Sequence, residues 1–67
     1  MKFAAIVKEL REEKGISQKQ LADELGISQS AIAKWEVSRT EPTAGALLLL
    51  AEFFEVTVGQ LLGTEEY

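Results

Sequence analysis

The hydrophobic residues of this chain recur at helical spacing, but never for more than about three turns before a glycine or a new Ser/Thr start interrupts them. Phe3, Ile6, Val7 and Leu10 share one helical face, and Gly15 supplies a left-handed stop with Ile16 behind it. The spacing predicts a first helix from about Phe3 to Lys14. Ser17 opens a second, with Gln20 three residues later completing a capping box, and Gly26 ends it after about two turns. Ser28 starts a third over about 28–36, Pro42-Thr43 a fourth over Ala44 to Phe54, and Thr57 with Gln60 a short fifth over Val58 to Leu62. No stretch alternates with period two over a useful length. The pattern predicts an all-α domain of five short helices and no sheet.

Composition narrows what such a domain does. Sixty-seven residues allow one domain, 1–67, which buries roughly 60% of its unfolded surface. There is no cysteine and no histidine, so a thiolate zinc site, a disulfide framework, a cysteine nucleophile and the commonest general base are all excluded. The chain is expected not to be an enzyme and to need no metal or cofactor. Ala44 to Ala51, the longest apolar run, falls far short of the ~18 residues of a membrane span. The start of the chain, where charges return at Lys8 and Glu9, keeps no apolar signal core. The expected compartment is therefore cytoplasmic. The net charge of −4 is unevenly placed. Residues 1–40 hold all seven bases and six acids, for +1, whereas residues 41–67 hold five acids and no base, for −5. The pairs Glu12-Glu13 and Glu65-Glu66 are read as solvated faces, with no basic partner for acid–base chemistry.

The second and third helices carry the chemistry. Two helices of about two turns joined by a turn of about three or four residues containing glycine are the signature of a helix-turn-helix. Leu21, Ala22 and Leu25 face inward from the first of them, with Ala22 small where its neighbour must cross. Gly26 permits the turn and Ile27 buries it, while Ile32 and Trp35 anchor the next helix from beneath. Trp35 therefore reads as core and not as a stacking platform. Gln29, Ser30, Ala33 and Lys34 are left pointing outward.

The segment Gly15-Ile16-Ser17-Gln18…Leu21-Ala22…Leu25-Gly26-Ile27-Ser28…Ile32…Trp35-Glu36…Pro42 resembles the phage-repressor/Cro-type (XRE-family) helix-turn-helix transcriptional regulators. The likeness runs from about Ile6 to Leu62, through Leu47-Leu48…Leu50-Ala51 and Val56-Thr57…Leu61-Leu62. It implies a repressor-like domain that places its third helix in the major groove of double-stranded DNA, as a homodimer on paired half-sites. It further implies base contacts from Gln29, Ser30, Ala33 and Lys34. Glutamine grips adenine through two hydrogen bonds, lysine donates to guanine, and the Ala33 methyl meets a thymine methyl. Gln18, Ser28, Lys19, Arg39 and Thr40 match phosphate-contacting positions, which fix register without reading sequence; Lys19 and Arg39 also read as ordinary surface charges. Arg11 and Glu36 match positions that pair across the first and third helices and support the third from behind.

This chain departs from the family at three places. Val37-Ser38 stands where asparagine or glycine often ends the third helix, and Glu55 replaces a frequent glycine after the fourth. In the fourth helix the family's core positions account for Leu47, Leu50, Ala51 and Phe54. Leu49 and Phe53 are left over, four apart on one face. They are read as part of a homodimer surface with Leu61, Leu62 and Tyr67, or as packing under the C-terminal tail. No small-molecule ligand is indicated, and a separate sensor domain does not fit in 67 residues, so control is expected through concentration, a partner or proteolysis. A phage repressor, a restriction-modification controller and a toxin-linked antitoxin all fit, as repressor or activator. The competing reading is a protein-interaction module of the same fold that has lost DNA binding, in keeping with the acidic charge.

Overall fold

A computed structural model of the chain describes residues 2–66. Its elements are α1 (Phe3–Glu13), α2 (Gln18–Leu25), α3 (Gln29–Glu36), α4 (Ala44–Phe54) and α5 (Val58–Leu62), with no strand among the described residues. No helix among them is long and apolar enough to cross a membrane.

Local chemistry explains the boundaries. Four helices begin on a hydroxyl that accepts from a backbone N–H three residues on: Ser17 from Gln20, Ser28 from Ala31, Thr43 from Ala46 and Thr57 from Gln60. At α2 and α5 the box is closed by the glutamine, whose Oε1 accepts from the Ser17 N–H at 2.7 Å and the Thr57 N–H at 2.8 Å. Each such cap is worth about 1 kcal/mol. Between α2 and α3 the chain reverses at Gly26, whose φ of 69° is open to glycine at little cost. The Gly26 and Ile27 N–H groups both donate to the Ala22 carbonyl, closing the end of α2.

One core joins all five helices: Phe3 and Val7 of α1, Leu21 and Ala22 of α2, Ile32 and Trp35 of α3, Ala46, Leu50 and Phe54 of α4, and Leu61 of α5. The Phe3 and Trp35 rings meet edge to face, with centroids 5.8 Å apart, and so tie α1 to α3. In the first turn of α4 it is Ala46 that is buried, with Leu47 only half-buried. The acidic tail turns back over α5. Thr57 Oγ1 donates to Glu65 Oε1 at 2.8 Å, and Gln60 Nε2 donates to the Glu66 carbonyl at 2.9 Å.

Among the described residues, two other than glycine take left-handed backbone, Ser38 at φ 59° and Glu55 at φ 56°. These are the positions where the sequence departs from the family's glycine or asparagine. An L-residue there costs roughly 1–2 kcal/mol, partly offset by the larger freedom glycine loses on folding. Glu55→Gly also removes a carboxylate from the negative end of α4. The substitution is expected to stabilise the domain by about 0.5–1 kcal/mol, raising Tm by several degrees in thermal unfolding. A lower Tm would show that the Glu55 side chain makes a stabilising contact that outweighs its backbone cost.

Candidate nucleic-acid interface

Helix α3 is amphipathic across its short axis. Ile32 and Trp35 are buried beneath it, whereas Gln29, Ser30 and Lys34 are exposed and Ala33 is half-buried. The side chains of Gln29, Ser30 and Lys34 make no hydrogen bond or salt bridge to the rest of the described residues. The outer face is thus a set of uncommitted donors and acceptors on a rigid element. Ala22, buried on α2, lets the two helices approach closely.

Beneath this face lies a polar network. Arg11 on α1 grips the Glu36 carboxylate at the end of α3 with two bonds, Nε to Oε2 at 2.7 Å and Nη2 to Oε1 at 3.0 Å. Arg11 Nη1 donates to the Ile16 carbonyl at 2.8 Å. Gln18 Nε2, at the start of α2, donates to Glu36 Oε1 at 3.0 Å. The carboxylate side chain is only 4% exposed, yet every buried polar side-chain atom among the described residues has a partner. Burial pushes the Glu36 carboxyl up, but the hydrogen bonds from Arg11 and Gln18 and the nearby Arg11 and Lys8 charges outweigh it and hold it below its ordinary value. The same hydrogen bond raises the Arg11 guanidinium above its own. One carboxylate therefore ties the start of α2, the end of α3 and the last turn of α1 into a single unit. The Gln18–Glu36 bond was not foreseen from the sequence, which carries no local signal for a contact 18 residues apart.

The N-terminal ends of α2 and α3 present backbone amides. Ser17 occupies the Gln20 N–H and Ser28 the Ala31 N–H, which leaves the N–H groups of Gln18, Lys19, Gln29 and Ser30 without an intrahelical partner. Such ends attract anions. Lys19 is exposed and paired at 3.1 Å with Asp23, a surface contact worth little. Arg39 and Thr40 are exposed in the segment after α3, where the Arg39 N–H donates to the Lys34 carbonyl at 2.8 Å.

The profile of the helix-turn-helix family matches residues 7–61, which holds the α2–α3 unit and the helices that support it. The chain belongs to the phage-repressor/Cro-type helix-turn-helix family. It is 39% identical over 66 residues to the HTH-type transcriptional activator BcrR of Enterococcus faecalis, an alignment that takes in 98% of this chain and 32% of that protein. The chain thus spans about a third of the length of that relative. Among solved structures, the P22 c2 repressor protein in complex with a synthetic operator superposes with a TM-score of 0.87, at 30% identity over 94% of this chain and 96% of that one. The solution structure of the P22 c2 repressor DNA-binding domain gives 0.82, at 32% identity over 90% and 79%.

The helix-turn-helix domain corrects one expectation about its own surface. Leu61, read as part of a dimer surface, is 0% exposed and belongs to the monomer core. Helix α5 docks on α1 and α4 with Leu61 inward, so the Leu61 side chain has no area left for a partner. Leu62 is half-buried against the same core. Phe53 is half-buried too, its ring edge to face with Phe54 at 5.0 Å and beneath the Lys14 ammonium at 5.1 Å. Leu49 is 43% exposed, and Leu48, not singled out from the sequence, is 64% exposed. The missed signal was present in the spacing, since Leu48 lies off the stripe of Leu47, Leu50, Ala51 and Phe54. Tyr67 lies outside the described residues.

Proposed function

We propose that this chain is the sequence-specific DNA-binding unit of a cytoplasmic transcriptional regulator, with α3 in the major groove. The observation that carries the reading is the division of α3 into a buried, buttressed side and an outer side whose Gln29, Ser30 and Lys34 are free to bond elsewhere. In this role Gln29, Ser30, Ala33 and Lys34 meet base edges. Gln18, Ser28 and Lys19 at the amide-rich helix starts, with Arg39 and Thr40 after α3, hold phosphates on either side. One N–H of the Gln18 amide is committed to Glu36, and the other is available to a phosphate oxygen. Arg11 and Glu36 act as scaffold. The P22 c2 repressor, whose structure includes operator DNA, supports the same use of the shared fold. The unit acts as a homodimer on half-sites about one helical turn apart, ~34 Å, pairing through α4 and α5 with Leu48 and the partly covered Leu62 in the contact.

Selection from random duplex DNA at low salt tests this. One sequence should be enriched, and its affinity should fall with salt at a log–log slope of about −0.9 per phosphate contact. Absence of enrichment would decide for an interaction module of the same fold, the reading favoured by the −5 charge of residues 41–67.

A further inference from the structure

Helices α1, α2 and α4 end around one open, shallow cleft of ≈ 460 Å³. Its apolar lining is Leu25, Leu49 and Phe53, and its rim carries Glu24, Glu52, Glu55 and a single base, Lys14. We propose that this cleft docks a basic, apolar-anchored helix or peptide of a partner protein, an interaction separate from DNA binding.

The charge pattern is the reason. The C-terminal end of a helix carries partial negative charge and is stabilised by lysine or arginine in its last turn. Neither α2 nor α4 has a base there. Both carry acids instead: Glu24 in the last turn of α2, Glu52 in that of α4, and Glu55 just beyond, on left-handed backbone that glycine adopts more easily. All three are exposed. They oppose the local helix field and gain nothing from one another, so the arrangement raises the energy of the free domain. A cationic partner reverses the sign of each of these terms. The cleft already shows how such a cation is received, because the Lys14 ammonium lies 5.1 Å from the centre of the Phe53 ring. Leu49, 43% exposed beside that ring, offers the anchor for an apolar side chain.

A second copy of the chain fits this cleft poorly. Three acids against one base leave the lining at −2, and a two-fold contact would set that charge, with its helix ends, against itself. Leu49 and Phe53 are thereby reassigned from the self-association surface to a heterologous one, while Leu48 lies outside the cleft lining.

The test titrates the isotope-labelled chain with a synthetic amphipathic helix of leucine and lysine, and with a leucine–glutamate helix as control. Amide shifts should concentrate on Leu25, Leu49, Phe53 and the end of α4 with the lysine peptide and be absent with the glutamate peptide. Leu49→Ser should weaken binding about tenfold. The combined exposed changes Glu24→Gln, Glu52→Gln and Glu55→Gln should weaken it and flatten its salt dependence, with helicity unchanged. Operator affinity should be unaltered by Leu49→Ser, which separates this interaction from the DNA reading. Shifts scattered over Glu9, Glu12, Glu41 and the other acids, insensitive to Leu49→Ser, would overturn the proposal as plain charge attraction. A dimer in sedimentation that Leu49→Ser dissociates would overturn it in favour of a second copy.

Discussion

Arg11→Ala is expected to cost about 3–5 kcal/mol, because it leaves the Glu36 carboxylate buried without its cation. A chain of this length holds only about 3–10 kcal/mol in total, so the variant should lose a large share of its stability. Urea unfolding followed by the fluorescence of Trp35, the single and buried tryptophan, measures the loss. Removing both charges, as Arg11→Met with Glu36→Leu, should recover most of it, since neither ion is then stranded. Equal damage in the single and double variants would mean that the arginine stem, and not the pair, supports the fold. The pair also gives acid sensitivity of definite sign. Although burial works to raise the Glu36 carboxyl, the bonds from Arg11 and Gln18 bring its folded-state value below the ordinary 4.5. Its contribution is therefore complete above the unfolded value and is lost as pH falls through the lower folded one. Glu36→Gln should lower stability at neutral pH and make the acid limb of the stability profile shallower.

The helix boundaries were legible in the sequence because the signals are local. Ser17 with Gln20, and Thr57 with Gln60, satisfy amides three residues away whatever the rest of the chain does. The outward face of α3 was legible for a related reason, since Ile32 and Trp35 fix the helical phase and leave Gln29, Ser30 and Lys34 outside. Leu61 was misread because α5 has five residues. Leu61 and Leu62 are neighbours on little more than one turn, and only the docking of α5 on α1 and α4 decides which of them enters the core. The Gln18–Glu36 bond was invisible for the converse reason. It joins the start of one helix to the end of the next, a proximity created by the crossing of α2 and α3 and encoded in no spacing. The exit from α3 was undetermined in the sequence, and Ser38 resolves it by adopting the left-handed geometry that glycine would take more readily.

Gln29→Ala and Lys34→Ala should each change which operator is preferred, at a cost of about 1–3 kcal/mol on the best site. Both side chains are exposed on α3 and lie five residues apart, about 7.5 Å along its axis, so each reaches a different base pair. Neither is held by an intramolecular partner, so truncation removes a DNA contact without stranding a group in the protein. Gln18→Ala should behave differently. It weakens every sequence by a similar factor, since a phosphate is the same in each. It also takes a donor from buried Glu36, lowering stability by about 1 kcal/mol. Repeating the random-DNA selection with each variant, at a temperature where all are folded, separates the classes. A changed consensus for Gln29→Ala and Lys34→Ala, with an unchanged one for Gln18→Ala, places the reading of sequence on α3. If all three merely weaken one unaltered consensus, the side chains of α3 supply affinity alone, and discrimination comes from DNA shape imposed by the spacing of the two half-sites.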